Sequence, residues 1–212
     1  MEKIRTVVVL AGGESVAAGP RLPVTDTDLV IAADSGVHHA RALGLHVDLV
    51  VGDLDSVDAR ELDAVVEAGA TVERHPVDKD ATDLELALHA AVDRGAERIV
   101  VLGAGGGRFD HFLANVLVLA SPAFAGARVE ALVGAARVVV VHDKAVVDGE
   151  PGDLLTLLPV GGPAEGVRTT GLRFALDGER LDAGTTRGVS NELTGNQATI
   201  TVDGGVLLVV QP

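Results

Sequence analysis

The first two thirds of the chain alternate short apolar runs with helical patterns, and this alternation restricts the possible folds more than any other feature. The runs predict strands at 6–10, 29–33, 49–51, 71–74, 98–102, 128–133 and 137–142. Helices are predicted to end near Leu43, to span 58–68, to run from Thr82 as N-cap to a stop at Gly95, and to open at Asp110. Strands that alternate with helices at this spacing predict an α/β amino-terminal domain over 1–143, with a mostly parallel, helix-covered sheet.

The pattern changes after about Asp143. Turns rich in Gly, Asn, Asp and Pro separate short apolar or alternating runs at 153–158, 172–176, 198–202 and 205–210, and no helical pattern remains. Residues 148–212 are therefore predicted to form a small all-β domain, a sandwich or a barrel.

The bulk composition excludes several classes of protein. Hydrophobic residues make up 47% of the 212 residues, which is enough for a proper core. No apolar run approaches the ~18 residues of a membrane helix, and residues 1–6 lead into a strand without an apolar signal segment. The chain has no cysteine, which excludes a disulfide framework and thiolate chemistry and fits a cytoplasmic protein.

The net charge of −14 limits the kinds of partner that we expect the protein to bind. A nucleic-acid binder usually shows a basic footprint, and this sequence has none, so we expect no nucleic-acid partner. An acidic protein can still bind a nucleoside triphosphate. It then needs a metal ion between its carboxylates and the phosphates, together with a few well-placed cations.

Two aspartates, Asp53 and Asp55, directly follow the strand predicted at 49–51 and Gly52. If the chain stays extended there, their side chains point to the same side. Two carboxylates in that position repel each other unless a cation lies between them, and Mg²⁺ prefers such oxygen ligands. The alternative is that both residues only form a turn, for which Gly, Asp and Ser are common.

Two further acidic segments lie at a strand end or a helix start. Asp34 begins Asp34-Ser35-Gly36, which by itself also fits a turn or helix N-cap. The other segment is Asp78-Lys79-Asp80-Ala81-Thr82-Asp83, in which Thr82 and Glu85 form a capping box. Its acids could simply favour the helix dipole, while Lys79 could balance their charge or reach a phosphate.

A glycine loop, Gly103-Ala104-Gly105-Gly106-Gly107, lies between a strand and a helix start. Its backbone N–H groups and the guanidinium of Arg108 are suited to phosphate, although the Walker and dinucleotide spacings are absent. His111 could bind an aspartate or substrate, or could cap or pack the helix. Because open α/β sheets bind ligands at the carboxyl ends of their strands, these segments together indicate metal-dependent phosphoryl or nucleotidyl transfer. No Ser-His-Asp elbow or zinc-type spacing competes with this interpretation.

The chain resembles the thiamine pyrophosphokinases (thiamine diphosphokinases) in three segments that occur in the family's order: Gly52-Asp53-Leu54-Asp55-Ser56, Asp78-Lys79-Asp80-Ala81-Thr82-Asp83, and Gly106-Gly107-Arg108-Phe109-Asp110-His111 with Asn115. Ser190-Asn191-Glu192 lies near the Ser-Asn motif of the family. The resemblance implies an α/β domain, a β-sandwich domain, and a homodimer whose active sites lie at the subunit interface. The implied reaction moves the terminal pyrophosphoryl group of ATP to the hydroxyethyl oxygen of thiamine and gives thiamine diphosphate and AMP.

The resemblance also implies roles for individual residues and Mg²⁺ as the cofactor. Asp53, Asp55 and Asp83 would hold the metal, with Asp80 in support. Arg108 would bind phosphate, and Asp110 would organise metal and nucleotide. Ser190 and Asn191 would approach thiamine from the partner subunit. Other substrate contacts would come from Asp34, Lys79, Thr82, Gly106, Gly107, His111 and Asn115.

One departure from the family concerns thiamine. Relatives often place an aromatic residue near the carboxyl terminus, where it can stack on thiamine, whereas residues 206–212 contain none. Either aliphatic side chains pack on the thiamine ring or the site is altered.

Other functions fit parts of the sequence. Leu10-Ala11-Gly12-Gly13 is similar to the opening glycine loop of sugar nucleotidyltransferases, but Glu14 follows where that signature has a basic residue. Asp53-Leu54-Asp55 is similar to the Asp-x-Asp metal motif of glycosyltransferases. A regulator that binds thiamine or nucleotide without turnover is a third possibility, although the carboxylates that catalysis would need are all present.

Overall fold

The computed structural model describes residues 6–14 and 26–212. Residues 1–6 are expected to lead into the first strand without an apolar signal segment, and residues 1–5 of this segment lie outside the described residues. The chain divides into two compact units, Met1–Gly134 and Ala135–Pro212, which are described separately. Within the described residues, no helix combines the length and the apolar character needed to cross a membrane.

The first unit contains a six-stranded parallel sheet. Its strands are β1 (Thr6–Leu10), β2 (Leu29–Ala33), β3 (Leu49–Gly52), β4 (Thr71–Arg74), β5 (Arg98–Leu102) and β6 (Arg128–Val133). Their order across the sheet is β4-β3-β2-β1-β5-β6, and each neighbouring pair is parallel. All residues of β3 are buried, as are nearly all of β1, β2 and β5. Such continuous Val-rich burial is typical of a parallel sheet with both faces covered.

The described residues of this unit include four α-helices: α1 (Val37–Leu43), α2 (Ala59–Glu67), α3 (Asp83–Asp93) and α4 (Phe109–Leu119). The predicted capping box on α3 is present, because Thr82 Oγ1 accepts a hydrogen bond from the Glu85 backbone N–H at 3.2 Å. The predicted apolar face of this helix is buried and packs against β1, β2 and β3. The α/β fold class of the first unit is thus confirmed.

The strand order reverses beside β1. The strands β2, β3 and β4 follow on one side of β1, whereas β5 and β6 lie on its other side. In open α/β sheets, ligands bind at such a reversal, outside the carboxyl ends of the strands. The topology therefore places a binding crevice at the ends of β1 and β5.

The second unit is all-β, as predicted, and its described residues include no helix. Its strands are β7 (Ala136–Val141), β8 (Lys144–Asp148), β9 (Leu154–Thr170), β10 (Asp177–Leu181), β11 (Asn191–Glu192), β12 (Gln197–Thr201) and β13 (Gly204–Gln211). Neighbouring strands in the order β7-β13-β9-β12-β8 are antiparallel, and β10 and β11 also pair with β9 in the antiparallel sense. The strand β7 pairs with β13 and belongs to this unit, whereas the strand at 137–142 is predicted to lie in the first domain.

The structure differs from the expected strands at three places in this unit. The strand predicted at 153–158 continues to Thr170 through Pro and Gly positions, because β9 changes partners from β13 to β10 and β12 along its length. The strand β8 was not predicted, since charged residues flank its three apolar residues. Residues 172–176 form no strand beyond a single bridge between Leu172 and Leu193.

Candidate functional site

A cavity of about 510 Å³ lies at the carboxyl ends of β1, β2, β3 and β5. The cavity lies at the position where the reversal of strand order predicts a binding crevice. Its wall includes most of the charged residues that the sequence singled out: Asp34, Asp53, Asp55, Lys79, Asp83 and Arg108. Asp80 is exposed and is not part of the cavity wall among the described residues.

Three carboxylates converge in this cavity. Asp34, Asp53 and Asp55 each offer an oxygen, and these oxygens lie within 4.8 Å of one another. Asp34 is only 9% exposed, and its Oδ1 has no hydrogen-bond partner among the described residues. Burial raises the pKa of the Asp34 carboxyl, and the nearby carboxylates of Asp83 and Asp53 add to the effect. An orphaned buried oxygen beside two further carboxylates fits a divalent cation such as Mg²⁺.

This grouping differs from the metal set implied by the sequence, which was Asp53, Asp55 and Asp83. The structure brings Asp34 to the two paired aspartates because β2 and β3 are neighbours whose ends lie side by side. The sequence alone could not show this neighbourhood, since Asp34 and Asp53 are far apart along the chain.

The backbone at these aspartates adopts unusual conformations. Leu54, between Asp53 and Asp55, has φ = 65°, and Asp34 has φ = 45°. The segment is therefore not extended as considered above. Instead it turns, so that the Asp55 backbone N–H donates to Asp53 Oδ1 at 3.3 Å. A left-handed conformation costs about 1–2 kcal/mol for a residue with a side chain, and such strain concentrates at functional sites.

Gly52 permits the close approach of the surrounding acids. Its φ is 146°, and a Cβ atom there would lie 2.8 Å from Asp83 Oδ1 and 3.3 Å from Asp34 Cβ. Any side chain at this position would push the acids apart. A glycine at the end of β3 is thus part of the construction of the site.

Asp83 lies at the start of α3 and contacts Lys79. The Lys79 Nζ atom lies 2.5 Å from Asp53 Oδ2 and 3.0 Å from Asp83 Oδ1. The first contact is a hydrogen bond, whereas the second is an ion pair by distance. Asp83 Oδ1 has no hydrogen-bond partner within the described part of the chain. The hydrogen bond from Lys79 lowers the pKa of Asp53. Burial alone would lower the pKa of Lys79, but the two carboxylates raise it overall.

The glycine loop is joined to the loop that follows β1. Gly13 N–H donates to Gly103 O and Glu14 N–H donates to Gly105 O, each at 2.8 Å. These bonds continue the pairing of β1 and β5 beyond the strands themselves. Gly106 and Gly107 lie further along the loop, line the cavity and have φ of 75° and 69°.

Arg108 follows the glycine loop and is held by Asp110. Its Nε and Nη2 atoms donate to the two oxygens of the Asp110 carboxylate at 3.1 and 2.5 Å. This bidentate pair lowers the pKa of Asp110 from 3.8 to about 2. Arg108 lines the cavity, whereas Asp110 is not part of its wall among the described residues. The geometry therefore gives Asp110 contact with Arg108 rather than with the carboxylate cluster.

Helix α4 carries two different sets of side chains. His111 and Asn115, one turn apart, line the cavity together with Thr82. Phe109, Leu113 and Leu117 follow one another at intervals of four residues, and their exposed fractions are 75%, 45% and 48%. Residues at this spacing share one face of a helix. This apolar stripe (Phe109, Leu113 and Leu117) is an exposed apolar surface on the side of α4 opposite His111 and Asn115.

In the second unit, Asn191 holds the backbone of Phe174. Its Oδ1 accepts from the Phe174 N–H at 3.0 Å, and its Nδ2 donates to the Phe174 carbonyl at 2.8 Å. Asn191 is buried, whereas the Phe174 side chain is 60% exposed. Ser190 is exposed, has φ = 58°, and donates its N–H to Thr156 Oγ1 at 3.1 Å. The use of both amide atoms of Asn191 indicates a positioning role for this side chain.

Phe174 is a further candidate, which the sequence patterns did not single out. It is the one aromatic residue (Phe, Tyr or Trp) of the chain after residue 134, and Arg173 Cζ lies 5.4 Å from its ring centroid. In the carboxyl-terminal strand, Leu207, Leu208 and Val209 are buried, whereas Val206 and Val210 are partly exposed. The sequence does carry a signal for Phe174, because this residue is the sole aromatic residue of the predicted all-β domain.

Comparison with known proteins gives consistent matches. The family model described as thiamin pyrophosphokinase, catalytic domain, matches residues 22–131, and the model described as thiamin pyrophosphokinase, vitamin B1 binding domain, matches residues 143–207. The thiamine pyrophosphokinase of Bacillus subtilis (strain 168) is 25% identical over 212 residues, which cover 98% of this chain and 99% of that protein. Thiamine pyrophosphokinase 1 of Oryza sativa subsp. japonica is 29% identical over 174 residues, or 77% of this chain and 65% of that protein.

Solved structures show the same fold. The thiamin pyrophosphokinase family protein from Enterococcus faecalis has a TM-score of 0.80 at 28% identity, and the match covers 98% of each chain. The thiamine pyrophosphokinase structure from Bacillus subtilis has a TM-score of 0.84 at 24% identity, again over 98% of each chain.

Proposed function

Because the chain belongs to the thiamin pyrophosphokinase family, we propose that it is a thiamine diphosphokinase, which transfers the pyrophosphoryl group of ATP to the hydroxyethyl oxygen of thiamine. The products are thiamine diphosphate and AMP. The observation that carries this proposal is one cavity that contains clustered carboxylates, a glycine loop and an arginine at the ends of parallel strands. The family matches favour neither a sugar nucleotidyltransferase nor a glycosyltransferase.

Asp34, Asp53 and Asp55 would hold Mg²⁺ between the protein and the phosphates of ATP, with Asp83 beside them. When bound, the cation supplies positive charge that neutralises the phosphate oxygens. This use of Asp34 extends the set drawn from the resemblance. It is supported by the buried, unpartnered oxygen of Asp34.

The remaining cavity residues position the phosphates. The Arg108 guanidinium donates hydrogen bonds to phosphate, and Asp110 orients that guanidinium through its bidentate pair. Backbone N–H groups near Gly106 and Gly107, together with Thr82, His111 and Asn115, complete the wall. In-line transfer depends mainly on such positioning and charge neutralisation, and no covalent enzyme intermediate is needed. Either Asp53 or Asp55 would accept the hydroxyl proton of thiamine.

Phe174 provides the aromatic surface for thiamine. It lies within the range matched by the vitamin B1 binding domain, and Asn191 fixes its backbone from within the core. A ring that is presented on a fixed backbone stacks on an aromatic ligand at a low entropic cost. Ser190 lies beside Asn191 and would contact the same substrate. The cytoplasmic location remains an expectation from the cysteine-free composition.

The enzyme acts as a homodimer whose active site includes residues from both subunits. The apolar stripe on α4 supports this arrangement, because its three side chains are exposed and lie on the same helix as His111 and Asn115. Exposed apolar surfaces of this kind mark interfaces.

The direct test is incubation of the protein with Mg²⁺, ATP and thiamine, followed by separation of nucleotides and thiamine esters. We expect AMP and thiamine diphosphate in equal amounts. ADP with thiamine monophosphate would contradict one-step pyrophosphoryl transfer, and the absence of any thiamine ester would contradict the substrate. Omission of Mg²⁺ is the control, which should abolish both products.

Substitution of Phe174 tests the thiamine contact. In Phe174→Ala, we expect the KM for thiamine to rise roughly tenfold or more, because aromatic stacking contributes about 1–3 kcal/mol per ring. The KM for ATP should stay the same, and Phe174→Tyr should retain normal thiamine affinity because it keeps the ring. Equal changes in both KM values, or no change in either, would contradict this role.

A further inference from the structure

Lys79 provides a cation that is already bound to the proposed metal site. Its ammonium contacts Asp53 and Asp83 at 2.5 and 3.0 Å. The exposed fractions of the Lys79, Asp53 and Asp83 side chains are 12%, 11% and 25%. Ion pairs so shielded from solvent are screened only weakly by salt. The ammonium is therefore a strong local charge within the cavity.

Asp53 is shared by two groupings. It belongs to the carboxylate cluster with Asp34 and Asp55, and it also accepts the hydrogen bond from Lys79. A divalent cation at the cluster and an ammonium on Asp53 would repel each other at short range. Both cations would also compete for the carboxylate of Asp53. Metal binding and the Lys79–Asp53 contact thus oppose each other.

The other cation of the cavity wall is engaged elsewhere. Arg108 is bonded to Asp110 through both carboxylate oxygens. Among the described residues of the wall, the lysine contacts the acids of the cluster directly and the arginine does not. Without a metal ion, Lys79 is thus the group that offsets the repulsion among these acids.

Resting on the proposed function, we propose that Lys79 is a built-in counter-ion of the metal site, which keeps the affinity for a divalent cation low until nucleotide phosphates are present. Without nucleotide, an entering cation has to displace the ammonium from Asp53. With a triphosphate in the cavity, the displaced ammonium gains anionic oxygens as new partners. Metal and nucleotide binding consequently favour each other, and this coupling is reciprocal by linkage.

A counter-ion with a purely structural role would behave differently. It would stabilise the fold by neutralising the acids, but it would not couple metal affinity to nucleotide. The two roles can therefore be separated by measuring metal binding directly, with and without a nucleotide analogue. This measurement requires no turnover.

The test uses Mn²⁺ as a spin probe and determines its Kd from the electron paramagnetic resonance signal of the free ion. The nucleotide is α,β-methylene-ATP, in which carbon replaces the bridging oxygen that would leave during transfer. The variants are Lys79→Met, which removes the charge at similar length, and Lys79→Arg, which keeps it. Lys144→Met is the matched control, because Lys144 is an exposed lysine in the second unit.

In Lys79→Met, we expect Mn²⁺ without nucleotide to bind tighter by a factor on the order of ten, the size expected for loss of a competing charged hydrogen bond. The increase in Mn²⁺ affinity on addition of the analogue should shrink, whereas Lys79→Arg and Lys144→Met should behave like the wild type. If the wild type binds Mn²⁺ measurably and Lys79→Met binds it equally well or more weakly, the counter-ion role is overturned. The metal site itself would stand. Absence of Mn²⁺ binding in every protein would overturn the metal site as well. If Lys79→Met fails to fold, Lys79→Gln provides the same comparison.

Discussion

Asp55→Asn is expected to reduce pyrophosphoryl transfer by roughly 10²–10³-fold or more, the size of effect seen when one preorganised charge-stabilising group is lost. The substitution removes a negative charge from the carboxylate cluster while keeping the shape of the side chain. Asp55 is exposed, and its carboxylate accepts a hydrogen bond from its neighbour Ser56, so the fold should survive. Turnover with saturating ATP and thiamine is the measurement, with the thermal melting curve as a check on folding.

Asp63→Asn is the matched control for this substitution. Asp63 is an exposed aspartate on α2 and lies outside the cavity wall. It should therefore retain full turnover. Wild-type turnover in Asp55→Asn would remove the basis for the metal assignment.

Leu113→Glu is expected to dissociate the homodimer and to abolish turnover at the same time. A carboxylate in the centre of the apolar stripe would be buried without a partner if two copies stayed together, and such burial is strongly unfavourable. Leu113 is already half exposed, so the isolated chain should still melt cooperatively. Light scattering gives the molecular mass, and the assay of thiamine diphosphate formation gives the activity.

Val66→Glu controls for the introduction of a charge at an exposed apolar position. Val66 on α2 is 44% exposed, against 45% for Leu113, but it lies outside the apolar stripe. It should leave both the mass and the turnover unchanged. A fully active monomer, either as the wild type or as Leu113→Glu, would contradict an active site shared between subunits.

Local sequence patterns were sufficient for most of the first unit. The apolar runs of β1 and β5 and the cap at Thr82 depend on neighbouring residues only, so their predictions were confirmed. The family resemblance was also confirmed, because its motifs are local segments in a fixed order. The residue roles drawn from that resemblance stay predictions.

Long-range neighbourhoods could not be predicted in the same way. The approach of Asp34 to Asp53 and Asp55 depends on which strands are neighbours in the sheet. Asn191 forms hydrogen bonds with the backbone of Phe174, which lies 17 residues away in the sequence. These bonds join a short strand to a segment without regular structure. The continuation of β9 through Pro and Gly depends on its partners, whereas these residue types by themselves predict a break.

The two hydrogen bonds that join the loops after β1 and β5 have a consequence for the thermodynamics of ligand binding. A glycine-rich segment normally retains much conformational entropy, and ordering it around a phosphate would weaken the binding by that amount. Here Gly103 and Gly105 are already held by the N–H groups of Gly13 and Glu14. Folding of the sheet thus orders this part of the loop in advance, so that a phosphate meets a surface with little freedom left to lose.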